Sequence, residues 1–333
     1  MFAVALTACS HHTCQQETRS GTSRAEVGVP FTLDDYERVV YGPGPGATFV
    51  PTSAAEHQVL ASLVPQLLEQ SAAGELDAAA LNALRDPANS VGFRIETWTL
   101  GGERYVALLE AKGKARGAGA YIFRVAPLSD APALLLEAPH HYYDVGTGRL
   151  AAELFFSPKR GVRPRALFTN TIHRYQRAPG DKGKRKDNPA DVAHNAEHAF
   201  SIATHAFVSA LDGARVVQLH GFGKRLEDGD SGDGDLGAIS MVVSAGDSAG
   251  SSAWSTAIAS ALATVFGSDV KRYPEDVRIL GATTNAQGQM LRNLGADRFV
   301  HVEMSAELRG RLSRDAELRS KLAAALFDSA PQR

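Results

Sequence analysis

The sequence predicts an α/β domain with a mostly parallel, mixed central sheet and helices on both faces. Three observations point there. Short apolar runs recur at 133–138, 166–169, 216–219, 239–244, 277–280 and 299–302. They alternate with longer stretches of helical apolar spacing at 146–157, 191–211, 249–266, 286–294 and 305–327. The runs are continuous rather than alternating, which is the pattern of parallel strands covered on both faces. The chain has 333 residues, 44% hydrophobic and 22% charged, so it can bury a sizeable core.

Taken in order, residues 1–30 are polar and Ser/Thr-rich and read as a leader or disordered tether. Residues 31–333 read as a single catalytic domain. Leu6-Thr7-Ala8-Cys9 has the small-residue spacing of a bacterial lipoprotein cleavage site, but the apolar run before it is short and lacks Lys or Arg. Two readings stay open. One is a periplasmic or outer-membrane lipoprotein anchored at Cys9, with its true start further upstream. The other is a chance match in a cytoplasmic protein. No apolar stretch reaches the roughly 18 residues of a spanning helix. The stretch 42–53 is turn-rich, and 54–85 has helical spacing. Runs at 93–99 and 104–110 flank Gly101-Gly102 and predict a hairpin, an antiparallel edge to the sheet; 121–125 predicts a further strand.

Net charge is −2, so nothing draws the chain as a whole to nucleic acid or anionic lipid. The basic run at 182–186 and the acidic, glycine-rich 226–237 read as solvated loops, the latter lacking EF-hand spacing. The cysteines are Cys9 and Cys14 alone, so any metal in the folded body must be held by histidine and carboxylate.

In parallel α/β sheets, ligands sit at the carboxyl ends of strands. After 133–138 come His140, His141 and Asp144. After 166–169 come Asn170, His173 and Arg174, and after 216–219 come His220 and Gly221. Glu303 follows 299–302. A catalytic zinc needs about three protein ligands and an open position. A His and a carboxylate a few residues apart on one loop, with a distant His, supply such a set. Glu303 is placed to take a proton from water, and Arg174 to hold a substrate carboxylate.

The stretches PHHYYDVGT, FTNTIHRY, DVAHN, VVQLHGFG and FVHVEMSAELR resemble, in order and spacing, the clan of zinc carboxypeptidases and N-formylglutamate amidohydrolases. The resemblance covers roughly 133–312 and implies a phosphorylase/hydrolase-like fold and a Zn2+-dependent hydrolase acting on an amide bond in a small molecule or peptide. It implies His140 or His141, with Asp144 and His220, as metal ligands. Asn170 and Arg174 would bind substrate, Asp191 and His194 would line the pocket, and Glu303 would be the general base. Asp144 stands where Glu is commoner.

Three other readings compete. Gly246-Asp247-Ser248-Ala249-Gly250 matches the nucleophile elbow of serine hydrolases, between a predicted strand and a predicted helix. Yet the HGFG at 220–223 is too close to it in sequence, and the sole His after Ser248 is His301, within a predicted strand. His194-Asn195-Ala196-Glu197-His198 matches the H-x-x-E-H of inverzincins on a predicted helix. Lastly, the chain is readable as a non-catalytic envelope binding protein that keeps the fold.

Overall fold

Gly101 and Gly102 both adopt positive φ, 60° and 85°, the conformation a two-residue hairpin turn demands. They join strands β2 (Phe93–Leu100) and β3 (Glu103–Glu110) in a computed structural model describing residues 29–42, 44, 48–156, 161–178, 180, 188–223 and 236–329. The lipoprotein-like Cys9, the basic run at 182–186 and most of the acidic 226–237 stretch lie outside these residues.

The described strands form one ten-stranded mixed sheet in the order β1-β2-β3-β4-β6-β5-β7-β10-β8-β9. The remaining strands are β1 (Val29–Pro30), β4 (Ala120–Val125), β5 (Leu134–Ala138), β6 (Ala166–Thr169), β7 (Arg215–Phe222), β8 (Met241–Ser244), β9 (Val270–Tyr273) and β10 (Phe299–Ser305). The parallel centre is β6-β5-β7-β10. The hairpin is not a simple edge. β1 lies outside it, parallel to β2, while β4 continues antiparallel onto β6, and β8 runs antiparallel to β10. The antiparallel share is therefore larger than the apolar runs imply.

Side chains alternate across the sheet. Leu134, Leu136, Val217, Leu219, Val300 and Val302 enter one core layer, with helices α1 (Leu33–Tyr36), α4 (Thr147–Phe156), α6 (Ala253–Phe266) and α9 (Ala316–Phe327). Leu135, Val216 and Phe299 enter the other, with α2 (Ala54–Ala72), α3 (Ala78–Ser90), α5 (Ala199–Ala210) and α7 (Ala286–Leu294). The period places Gln218 and His220 of β7, and His301 and Glu303 of β10, on the α5/α7 face. Register sets His301 beside Gln218 and Glu303 beside His220.

Four expectations need correction. The helical stretch 54–85 is two helices, parted at Gly74 (φ 79°) and restarted by Asp77, whose carboxylate accepts from the amides of Ala79 and Ala80. The stretch 305–327 likewise splits into α8 (Ala306–Leu312) and α9, the second capped by Asp315. Only Ala199–Ala210 of 191–211 is helical. Upstream, polar side chains bond the local backbone in place of the helix ladder: Asn195 Oδ1 accepts from Glu197 N and its amide donates to the Pro189 carbonyl. His198 caps α5, accepting from Phe200 N at 3.0 Å. The H-x-x-E-H match therefore does not lie on a helix. Finally, 277–280 is a loop, and β9 precedes it. Among the described residues, no helix is long and apolar enough to cross a membrane.

Candidate metal centre

The chain after β5 closes a tight turn, with the His140 carbonyl accepting from the amides of Tyr143 and Asp144 at 2.9 and 2.8 Å. This puts His140 and Asp144, four residues apart, on the same side. Both are buried, as is His220 near the end of β7. Asp144 Oδ2 lies 3.1 Å from His220 Nδ1 and 3.7 Å from His140 Nδ1. The two rings meet edge to face at 4.8 Å. One donor atom from each of the three residues falls within 4.8 Å of the others.

Each imidazole is held by its other nitrogen. His140 Nε2 is 2.9 Å from Asp191 Oδ1, and His220 Nε2 is 2.8 Å from Gln218 Oε1. With Nε2 the donor in both rings, Nδ1 of each is the acceptor on the Asp144 side, that of His140 also accepting from Arg174 Nη1 at 3.4 Å. Metal-ligating histidines have their tautomer fixed by an acceptor in this way. Burial pushes the His140 imidazole down to about 4 and that of His220 to about 3, with the Arg174 charge adding to both. Both rings are thus neutral near pH 7, the form that binds metal. Burial raises the Asp144 carboxyl. Two imidazoles and one carboxylate, buried and pre-oriented, fit zinc's preference for nitrogen and oxygen donors.

The supporting shell extends outward. Asp191 also meets His194 Nδ1 at 3.2 Å and Arg174, whose Nε and Nη2 are 2.9 and 2.5 Å from Oδ2. Burial alone would raise Asp191, but His140, His194 and the Arg174 charge outweigh it and hold the carboxyl far below its usual range. Behind His220, Gln218 accepts from Asn285 Nδ2 at 2.6 Å and donates to Glu137 at 2.8 Å and Gln287 at 3.2 Å.

A cavity of about 450 Å³ opens beside this cluster, walled by His140, Arg174, His194, His220, His301, Glu303 and the loop from Arg278 to Asn285. Glu303 is buried, and its Oε1 is 3.6 Å from His301 Nε2. His301 and Glu303 also form, with His220, a second group of converging donor atoms. Leu280 and Ala282 in the loop have φ of 57° and 53°, a left-handed conformation non-glycine residues adopt at a cost.

The fold thus gathers His140, Asp144, His220, Glu303, Arg174 and His194 into one place. Asn170 is near in sequence, but its amide bonds the Ile172 carbonyl and accepts from Thr171 N, and it is absent from the described cavity wall. His141 turns away and stacks on Tyr41 at 3.5 Å. Ser248 is exposed and also absent from the described wall. The helix that follows, α6, is capped by Ser252. Sequence reasoning missed Gln218 and the 278–285 wall. A polar Gln two residues before His220 in an apolar run was the available signal, since period two puts both on one face.

No protein-family model matches the chain, and no curated protein matches it. Several solved structures are similar. One is N-formylglutamate amidohydrolase from Ralstonia eutropha JMP134, 14% identical, covering 60% of this chain and 93% of its own, with a TM-score of 0.37. A candidate metallopeptidase of Shewanella denitrificans OS217 is 14% identical over 86% of this chain and 98% of its own, with a TM-score of 0.37. An aspartoacylase family protein of Mesorhizobium loti MAFF303099 is 14% identical over 68% and 62%, with a TM-score of 0.34. The resemblance read from the motifs recurs among these neighbours. At these TM-scores the likeness carries nothing about activity, which rests on the side chains.

Proposed function

We propose that this protein is a metal-dependent hydrolase that cleaves an amide or peptide bond. His140, Asp144 and His220 would hold a divalent ion, zinc by the donor set, and Glu303 would be the general base. One observation carries the reading: two buried imidazoles, each held through Nε2, present Nδ1 toward one carboxylate beside a cavity that also receives Glu303.

A bound divalent ion supplies Lewis acidity to a water and to the scissile carbonyl. The Glu303 carboxylate accepts the proton of the attacking water and passes it to the leaving nitrogen. Arg174 and His194 line the wall and take the substrate's polar groups. Asp191 holds Arg174 on one edge and leaves Nη1, 3.4 Å from His140 Nδ1, facing the centre. Asn170 we assign to shaping the loop that carries Arg174. The cavity suits a small molecule or the end of a peptide.

The test is metal analysis of the purified protein together with an amide-substrate screen before and after chelation. About one zinc per chain and hydrolysis that chelation abolishes are expected. Hydrolysis indifferent to chelation, or a chain without affinity for divalent ions, overturns the reading.

A further inference from the structure

We infer that Arg309 is a positioning residue of this site: its guanidinium ties together the three backbone segments that carry Asp144, His220 and Glu303, and Gly221 is glycine so that it can do so. The inference rests on the metal reading above.

Arg309 lies on α8, the short helix that starts where β10 ends. Its Nε donates to the Val145 carbonyl at 3.0 Å. Its Nη1 donates to the Met304 carbonyl and faces that of Phe222 at 3.4 Å. Each acceptor neighbours a site residue. Val145 follows Asp144, Met304 follows Glu303, and Phe222 stands two beyond His220. One planar group therefore fixes the turn after β5 against the ends of β7 and β10. Its positive charge also acts on both the Asp144 and Glu303 carboxylates. Arg309 is absent from the described cavity wall, so it works through these neighbours rather than on substrate.

Gly221 makes the room. It pairs with Met304 across the β7–β10 register. A Cβ there would stand 2.0 Å from Arg309 Nη1 and 2.4 Å from Cζ. Gly221 does not have positive φ, so space and not backbone freedom requires the glycine. Lysine would keep the charge but could not span carbonyls on three segments, because its donors share one nitrogen.

The experiment measures zinc affinity of the full chain by chelator competition, and the absorption spectrum with cobalt(II) in place of zinc, for wild type, Arg309→Ala, Arg309→Lys, Gly221→Ala and the Arg309→Ala/Gly221→Ala double variant. Arg165→Met is the control. Arg165 is a buried arginine that donates to carbonyls including those of Arg124 and Pro127, at the other end of β6 from the site. Arg309→Ala, Arg309→Lys and Gly221→Ala should each weaken zinc binding by about tenfold or more, as loss of groups supporting metal ligands does. Each should also alter the cobalt spectrum. In the Arg309→Ala background, Gly221→Ala should cost less than about twofold, since the methyl no longer displaces anything. Arg165→Met should lower the thermal midpoint and leave zinc affinity within about twofold, as distant independent sites do. Wild-type zinc affinity in Arg309→Ala, or additive losses in the double variant, overturns the inference. So does an equal loss in Arg165→Met, which would trace the effect to general loosening. If Arg309→Ala does not fold, unchanged affinity in Gly221→Ala and Arg309→Lys overturns it equally. A wild type that binds no zinc is a different failure, that of the metal reading.

Discussion

Asp191 Oδ1 sits 2.9 Å from His140 Nε2, so a carboxylate 51 residues downstream decides which nitrogen of His140 carries the proton. The same carboxylate holds Arg174 through its other oxygen. Replacing Asp191 with Asn keeps the size, removes the charge and allows either an amide or a carbonyl to face the ring. Asp191→Asn should therefore weaken zinc binding by about 10- to 100-fold. Chelator competition reads this directly. Unchanged affinity would mean that His140 needs no such support.

The general-base assignment predicts a different signature. Glu303→Gln preserves shape but cannot take a proton. Turnover should fall at least about 100-fold while zinc stays bound. Single-turnover hydrolysis with metal content measured on the same sample separates the two effects. Near-normal turnover in the variant removes Glu303 from the mechanism.

The contrast between what the sequence disclosed and what it hid has physical causes. The run Leu134–Leu136 was legible because a parallel strand buried on both faces is apolar without interruption, and the polar residues beyond it then stand out. Residues 277–280 carry the same signal for another reason. Ile279 is buried with Phe222 and Leu236 in a small satellite cluster, flanked by Val277 and Leu280, so a loop acquired the composition of a strand. The stretch 191–198 had helical spacing, yet His198 and Asn195 spend their side chains on nearby amides and delay the helix. His140, Asp144 and His220 were legible as strand-end residues, but the choice between His140 and His141 was not. That choice turns on Asp191 capturing one ring and Tyr41 stacking on the other. Gln218 was hidden because its partners Asn285 and Gln287 lie 67 and 69 positions away.

Ser248 gives a discriminating negative. It sits in a full G-x-S-x-G, yet it is exposed, and Gly246 (φ 74°) makes the turn. The histidine a triad would need, His301, is instead beside Glu303 and His220. Ser248→Ala should retain nearly all activity and metal. Loss of activity with fold and zinc intact would move the chemistry to a serine nucleophile.

Glu137 predicts an unusual pH dependence of stability. It is fully buried in β5, behind the site, with Gln218 Nε2 donating to Oε2 at 2.8 Å. Its other oxygen is 2.5 Å from the hydroxyl of Thr204, which is also 3.0 Å from the Phe200 carbonyl. One hydroxyl proton cannot serve both acceptors. A protonated Glu137 donating to Thr204, while Thr204 donates to Phe200, satisfies all three groups. Burial accordingly pushes the carboxyl up to about 7, against the pull of Thr204 and Gln218. An unfolded glutamate titrates at ~4.3. Between those values the folded chain binds the extra proton, so stability falls as pH rises. The contribution is whole below the unfolded value and is lost as pH passes through the folded one. The full span corresponds to about 4 kcal/mol at 1.36 kcal/mol per unit. Glu137→Gln removes this titration and keeps the contacts, because its carbonyl can face Gln218 while its amide donates to Thr204. Urea denaturation at pH 5 and pH 8.5 should show the variant gaining on wild type as pH rises, by up to about 3 kcal/mol. The comparison must be between the two proteins, because carboxylates held low, such as Asp191, tilt both curves the other way in acid. A stability difference that stays flat across that range would mean Glu137 is ionised throughout, with Thr204 donating to it and the Phe200 carbonyl satisfied by its helix alone.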